Sequence, residues 1–358
     1  MKGTDALREL GQSIWLDNIT RTMLDDGTEQ RYIDELSVTG QTSNPTIFDK
    51  AIGGGDAYDE QIAELHHDGL GGEQLFFDLA LTDINRAAKM LHPIHERTER
   101  VDGWISLEVS PLLAYDTEMT IQQAADLHGR ADENVFVKIP GTPEGLPAIE
   151  ESIHAGIPIN VTLLMSWDQY EAAADAFMRG IQRRIDDGLD PAVPSVASIF
   201  LSRWDVAVAD EVPSELKNRL GVVVGRRAYR SYRELLGSER WQELEKAGAH
   251  PQRLLFASTG TKDPNASETL YVEGLAAPDT INTMPDKTLL ATAELDGIGD
   301  PIPEDGGDAM KVMAEYAEAG IDTDELAVRL QKEGAQKFVD SWRELLKTIE
   351  SESARLAA

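Results

Sequence analysis

No cysteine occurs in the 358 residues, which excludes a disulfide framework, thiolate metal ligands and a thiol nucleophile. No run of 18 apolar residues occurs either, and the opening stretch MKGTDALRELGQSIWLD mixes charges without the apolar core of an export signal. Neither a membrane span nor secretion is expected, and a cytoplasmic location is the default. Basic residues are scarce: 33 Lys and Arg stand against 64 Asp and Glu, a formal charge of -31. Such a surface repels nucleic acid and anionic membranes, reads as a solvated exterior, and leaves any phosphorylated ligand dependent on a local basic pocket. No GxGxxG opens a helix after the first strand, and Gly53-Gly54-Gly55 lacks the GK[ST] of a P-loop and reads as a flexible loop. None of the seven histidines falls at a predicted strand end and no pair has HExxH spacing. Metal-assisted hydrolysis and histidine triads are therefore poor candidates, and no metal is expected.

What is present is an alternation of strand and helix. With 41% hydrophobic residues the chain can build a sizeable core. Strand-like segments fall at 13–17, 36–44, 104–110, 135–140, 157–162, 195–200, 253–259 and 280–285, separated by helix-period stretches such as 73–91, 120–130, 167–185 and 231–248. Eight β/α units without a composition break predict an α/β fold, a (β/α)8 TIM barrel forming a single domain over residues 1–358. The tail from Asp322 to Ala358 reads as a long amphipathic helix with no strand after it, expected to pack across the barrel.

One stretch asks for an explanation. In VFVKIP, residues 135–140, a lysine sits in an otherwise apolar strand. Strand alternation places Phe136 and Lys138 on one face and Val135, Val137 and Ile139 on the other, so Lys138 points away from the valines. A buried ammonium needs a carboxylate partner or must shed its proton. Barrel active sites form at the C-terminal ends of the strands, and polar residues collect there: Asp17, Asn44, Glu108, Lys138, Asn160, Thr162 and Ser198. Asp17, Glu108 and Lys138 in one dry cavity would have their proton affinities driven apart, which suits acid, base and nucleophile roles. A lysine amine in such a place points to Schiff-base chemistry on a carbonyl substrate. The bland alternative is a structural ion pair in a non-catalytic barrel.

The segments SIWLDNITR, GQTSNPTIF, SLEVSPLLAYDT, VFVKIPGTPEGLPAIEESIHAGIPINVTLL and SVASIFLSRW, over residues 13–204, resemble the transaldolases, and STGTK and DTINTMPDKT extend the likeness to about residue 288. The resemblance implies transfer of a dihydroxyacetone unit from sedoheptulose 7-phosphate to glyceraldehyde 3-phosphate, giving erythrose 4-phosphate and fructose 6-phosphate, in the pentose phosphate pathway and without a cofactor. It implies Lys138 as the Schiff-base residue and Asp17 as the acid/base for carbon–carbon cleavage. Glu108 and Thr162 would hold the water that shuttles protons, and Asn44 and Asn160 would orient the dihydroxyacetone unit. Ser198, Phe200 and Arg203 fit the family pattern S-x-F-x-x-R, with Arg203 on substrate phosphate.

Two departures stand out. The interval 204–252 is long and helical, with the basic GRRAYRSYRELLGSERW expected to form the solvated face of an outer helix, or else a lid or subunit contact. After the seventh strand, where the family commonly has a second arginine, the chain reads ASTGTK, so Lys262 is the expected second phosphate cation. The turn from Ser258 to Thr261 is expected to offer hydroxyls and N–H groups. The chain also resembles the transaldolase half of transaldolase/isomerase fusions, with no room after its helix for an isomerase. The competing readings are a fructose 6-phosphate aldolase, which uses the same lysine but releases dihydroxyacetone, and a sugar-phosphate-binding barrel without activity.

Overall fold

The computed structural model describes residues 1–357. Its eight strands are β1 (Ser13–Leu16), β2 (Val38–Thr42), β3 (Trp104–Glu108), β4 (Val135–Pro140), β5 (Ile159–Leu164), β6 (Ser195–Phe200), β7 (Gln252–Ala257) and β8 (Ile281–Met284). Each is parallel to its neighbours, in chain order, and β8 pairs with β1 to close the barrel. Six lie within the predicted segments; β5 runs two residues past its segment, to Leu164, and β7 starts one residue before its own, at Gln252. β4, β5 and β6 are buried along their whole length, as strands covered by helices outside and side chains inside must be.

The barrel floor is aromatic. Phe136 stacks on Trp104 with ring centroids 4.2 Å apart and meets Trp15 at 6.2 Å. Gly40 on β2 makes room for this layer, because a Cβ there would lie 2.5 Å from the Trp15 indole. Lys138 is two residues beyond Phe136 and so stands on the same inward face, one layer nearer the open end.

Helices follow the strands behind short polar caps. Asn44, Ser166 and Ser238 each accept the N–H of the third residue beyond with their side-chain oxygens. Gly53 ends the helix Pro45–Gly53 and lies against Thr348, so only Gly54 and Gly55 belong to the expected loop. Residues 204–252 take in most of the helix Ser202–Val208 and all of the helices Leu220–Leu236 and Glu239–Lys246. The basic face of Leu220–Leu236 is met by acids of the same chain: Arg226 reaches Asp308 at 2.9 Å, and Arg233 bridges Asp279 and Glu304 at 2.9 and 2.8 Å.

The tail forms one 34-residue helix, Thr323–Leu356, whose Asp322 cap accepts from the N–H groups of Asp324 and Glu325. It crosses the C-terminal end of the barrel. Buried Gln331 donates to the carbonyls of Gly141 and Leu163 at 3.0 and 3.1 Å, and Trp342 packs edge-on to Phe76 at 4.9 Å. Leu163, in β5, has a φ of 63° where the pairing with β6 shifts register, and this bulge turns its carbonyl to the helix. Among the described residues no helix is long and apolar enough to cross a membrane.

Candidate active site

A cavity of about 320 Å³ opens where the strands end, lined by Asp17, Thr42, Asn44, Lys50, Lys138, Thr162, Ser198, Phe200, Arg203, Ser258, Lys262 and Phe338 among others. Nine of these are residues expected from the sequence. A larger cavity of about 610 Å³ lies around Arg8, Ser13, Asp102 and Arg253, at the strand starts. None of the expected residues reaches it, and in this architecture that face carries stability rather than chemistry.

Lys138 and Glu108 are register neighbours on β4 and β3. Lys138 Nζ stands 3.5 Å from Glu108 Oε2 and donates to the Ser43 carbonyl at 3.1 Å. Both residues are buried, and neither Glu108 oxygen has a hydrogen-bond partner. Burial pushes the Glu108 carboxyl up, against the pull of Lys138 and Arg203 and with some help from the negative charge of Asp17. Thr162 Oγ1 is likewise buried and unpartnered.

Asp17 follows β1, its N–H held by the Met284 carbonyl at 2.9 Å. Thr42 Oγ1 lies 2.9 Å from its carboxylate and 2.7 Å from Thr283 Oγ1. Burial raises the proton affinity of Asp17 more than Lys138, the Thr42 hydroxyl and Lys262 lower it. Around the Lys138 amine the site therefore places two carboxyl groups that retain protons more readily than exposed ones.

Asn44 uses Oδ1 to cap the helix Pro45–Gly53, leaving its Nδ2 donor as the end available to a ligand. Asn160 is fully buried and does not line the cavity: its Oδ1 accepts from Ser198 at 2.7 Å and its Nδ2 donates to Ser106 at 3.0 Å, which leaves one N–H. The turn after β7 delivers less than expected. Thr259 donates to the Thr283 carbonyl and Thr261 to that of Ser267, both at 2.7 Å, so only Ser258 and Lys262 of this segment face the cavity. Ser258 takes a positive φ of 55°, and its hydroxyl meets that of Ser202 at 2.8 Å. Arg203 lies over Phe200 and Phe338, 4.9 and 5.4 Å from their ring centroids, with Nη1 buried and unpartnered.

A profile of the Transaldolase/Fructose-6-phosphate aldolase family matches residues 14–349. The chain belongs to this family. It is 42% identical over 368 residues to Transaldolase 2 of Streptomyces coelicolor, which covers 99% of each chain. The transaldolase of a Parafrankia species is 41% identical over 362 residues, 98% of each chain, and that of Thermobifida fusca is 42% identical over 358 residues, 97% of each.

Within this transaldolase-type barrel, sequence reasoning missed Lys50 and Phe338. Lys50 follows Thr46 by four residues, so both fall on one face of the helix that Asn44 caps, a spacing that could have revealed it. Phe338 comes from the crossing helix, and no local pattern announces it. Lys50, Lys138, Arg203 and Lys262 line the cavity with four cations, against Asp17 in the lining and Glu108 buried behind Lys138. The cavity is thus locally basic in a chain of charge -31.

Proposed function

We propose that this chain is a transaldolase, moving a dihydroxyacetone unit from sedoheptulose 7-phosphate to glyceraldehyde 3-phosphate in the cytoplasmic pentose phosphate pathway. The observation that carries the reading is Lys138, which lines the same cavity as Asp17 and, behind that lining, meets buried Glu108, whose oxygens have no other partner.

Lys138 Nζ attacks the donor's C2 carbonyl. A water held between Glu108 and Thr162 relays one amine proton to the carbonyl oxygen, and a second proton, from the Glu108 carboxyl, lets that oxygen leave as water, giving the protonated imine. Asp17 takes the C4 hydroxyl proton as the C3–C4 bond breaks and its electron pair enters the imine. The aldose phosphate leaves, and the bound three-carbon unit adds to the acceptor aldehyde by the reverse steps. Asn44 holds a hydroxyl of that unit, keeping it bound until the acceptor arrives, and Asn160 behind the wall fixes the cavity-lining Ser198 hydroxyl. Arg203 and Lys262 receive phosphate, Arg203 as a planar fork and Lys262 as a point charge.

Borohydride reduction in the presence of fructose 6-phosphate tests the chemistry. Peptide mass mapping should find a dihydroxyacetone-derived adduct on Lys138 alone; an adduct on another lysine overturns the assignment. Release of free dihydroxyacetone without an acceptor, at a rate matching transfer, would make the chain an aldolase instead.

Lys262→Ala should raise KM for phosphorylated donor and acceptor about tenfold, the scale of one charge-assisted contact, and change little with unphosphorylated dihydroxyacetone donors. Equal loss on both substrate types would make Lys262 a structural residue.

A further inference from the structure

Gly334 sits buried inside the helix Thr323–Leu356. Glycine is the least favourable ordinary residue in a helix interior, so its presence calls for a reason. Backbone conformation does not supply one, since its φ is not positive. Space does: a Cβ at this position would fall inside contact of Arg203 Nη1 and 2.8 Å from Leu163 Cδ1.

The surroundings of Arg203 make that slot consequential. Its guanidinium has no carboxylate bonded to it; it is held by shape, with Phe200 and Phe338 against it and the bare backbone of Gly334 beside Nη1. Phe338 is one helical turn beyond Gly334, on the same face. Gln331, three residues before Gly334, fixes the helix through its bonds to the Gly141 and Leu163 carbonyls. A guanidinium aimed by packing rather than by an ion pair keeps its donors free for an anion, and the unpartnered Nη1 is such a donor.

We propose that Gly334 is a specificity-determining positioning residue: the gap it leaves in the C-terminal helix sets the Arg203 guanidinium where it grips the phosphate of donor and acceptor sugars. This rests on the assignment of phosphate to Arg203 above. A methyl group at 334 displaces Nη1 and misaligns the fork, while the amine and carboxyl groups below, which touch only the sugar's reacting end, stay in place.

The test compares the parent chain with Gly334→Ala, Arg203→Lys and the double variant, by steady-state kinetics and by calorimetric binding of inorganic phosphate. Gly334→Ala should raise KM for phosphorylated substrates and Kd for inorganic phosphate about tenfold. With unphosphorylated dihydroxyacetone as donor, kcat/KM should stay within about twofold. The melting temperature should hold or rise, because alanine is the better helix former. In the Arg203→Lys background, where no Nη1 remains to collide, the added Gly334→Ala change should have no further effect, a non-additivity expected only of a direct contact. Additive losses in the double variant, equal losses on both substrate types, or a lowered melting temperature for Gly334→Ala would make residue 334 a packing position and overturn the proposal. Arg203→Lys with unchanged KM for phosphorylated substrates would overturn the phosphate assignment itself. A large Arg203→Lys effect beside a silent Gly334→Ala would overturn only the slot.

Discussion

Lys138→Ala is expected to lower turnover on the order of 10⁴-fold or more, since removing a covalent nucleophile leaves only binding and orientation to help the reaction. The borohydride-trapped adduct should disappear with it. Residual activity within about tenfold of the parent chain, or an adduct that persists, would remove Lys138 from the chemistry. The same change has a second, pH-dependent expression. Glu108 loses the cation 3.5 Å away, and breaking a buried pair costs about 3–5 kcal/mol when the remaining charge cannot be relieved. Glu108 has a relief, because burial already raises its affinity for a proton. A carboxyl whose folded value lies above its unfolded one, ~4.3, binds more protons in the native state, so stability falls as pH rises above that unfolded value. Urea unfolding should therefore show Lys138→Ala close to the parent chain near pH 5 and well below it at pH 8. A deficit independent of pH would mean that lost packing, not the stranded charge, is responsible. Lys138→Met, which keeps the aliphatic stem, separates the two contributions.

Asp17→Asn should slow carbon–carbon cleavage roughly 10²- to 10⁴-fold, the usual cost of a missing general base, while imine formation proceeds. Single-turnover traces should show the imine forming and then persisting. Slow imine formation followed by normal cleavage would exchange the roles of Asp17 and Glu108. Stability should move the other way. Burial raises Asp17 on balance, so its charged form costs the native state stability at pH above the unfolded value of ~3.9. The asparagine variant should match the parent chain near pH 4 and exceed it increasingly toward neutral pH. Loss of stability at neutral pH would show that the attraction between Asp17 and Lys138 outweighs the burial cost. A residue kept for function against stability is a common feature of active sites.

The chemistry at the strand ends was legible because strand alternation is strict. Once VFVKIP is taken as a strand with Phe136 inside, Lys138 must be inside as well, and the same parity brings in Glu108 from β3 and Asn160 and Thr162 from β5. Parity says which face a side chain occupies but not what it touches there. It could not tell that Asn160 is engaged by Ser198 and Ser106, nor that Thr259 and Thr261 spend their hydroxyls on the carbonyls of Thr283 and Ser267 where Ser258 enters the left-handed region. The amphipathic pattern of residues 323–356 marks an apolar stripe, yet the partner of that stripe is set by a crossing over the barrel rim. The contributions of Gln331, Gly334 and Phe338 therefore appear only in three dimensions. In the segment 204–252 the helical periodicity was readable, whereas the pairing of Arg226 and Arg233 depends on acids 46 to 82 positions away.

The helix over the barrel mouth also orders events in time. Residues 323–356 follow all eight strands in the chain, so during synthesis the barrel wall, with Lys138, Glu108 and Asp17 in place, is made before the segment that flanks Arg203 leaves the ribosome. Until that helix docks, the guanidinium has one aromatic neighbour instead of two, and the cavity stands open to water. In a nascent chain every residue of the amine–carboxyl centre is therefore synthesised before the helix that completes the packing around Arg203.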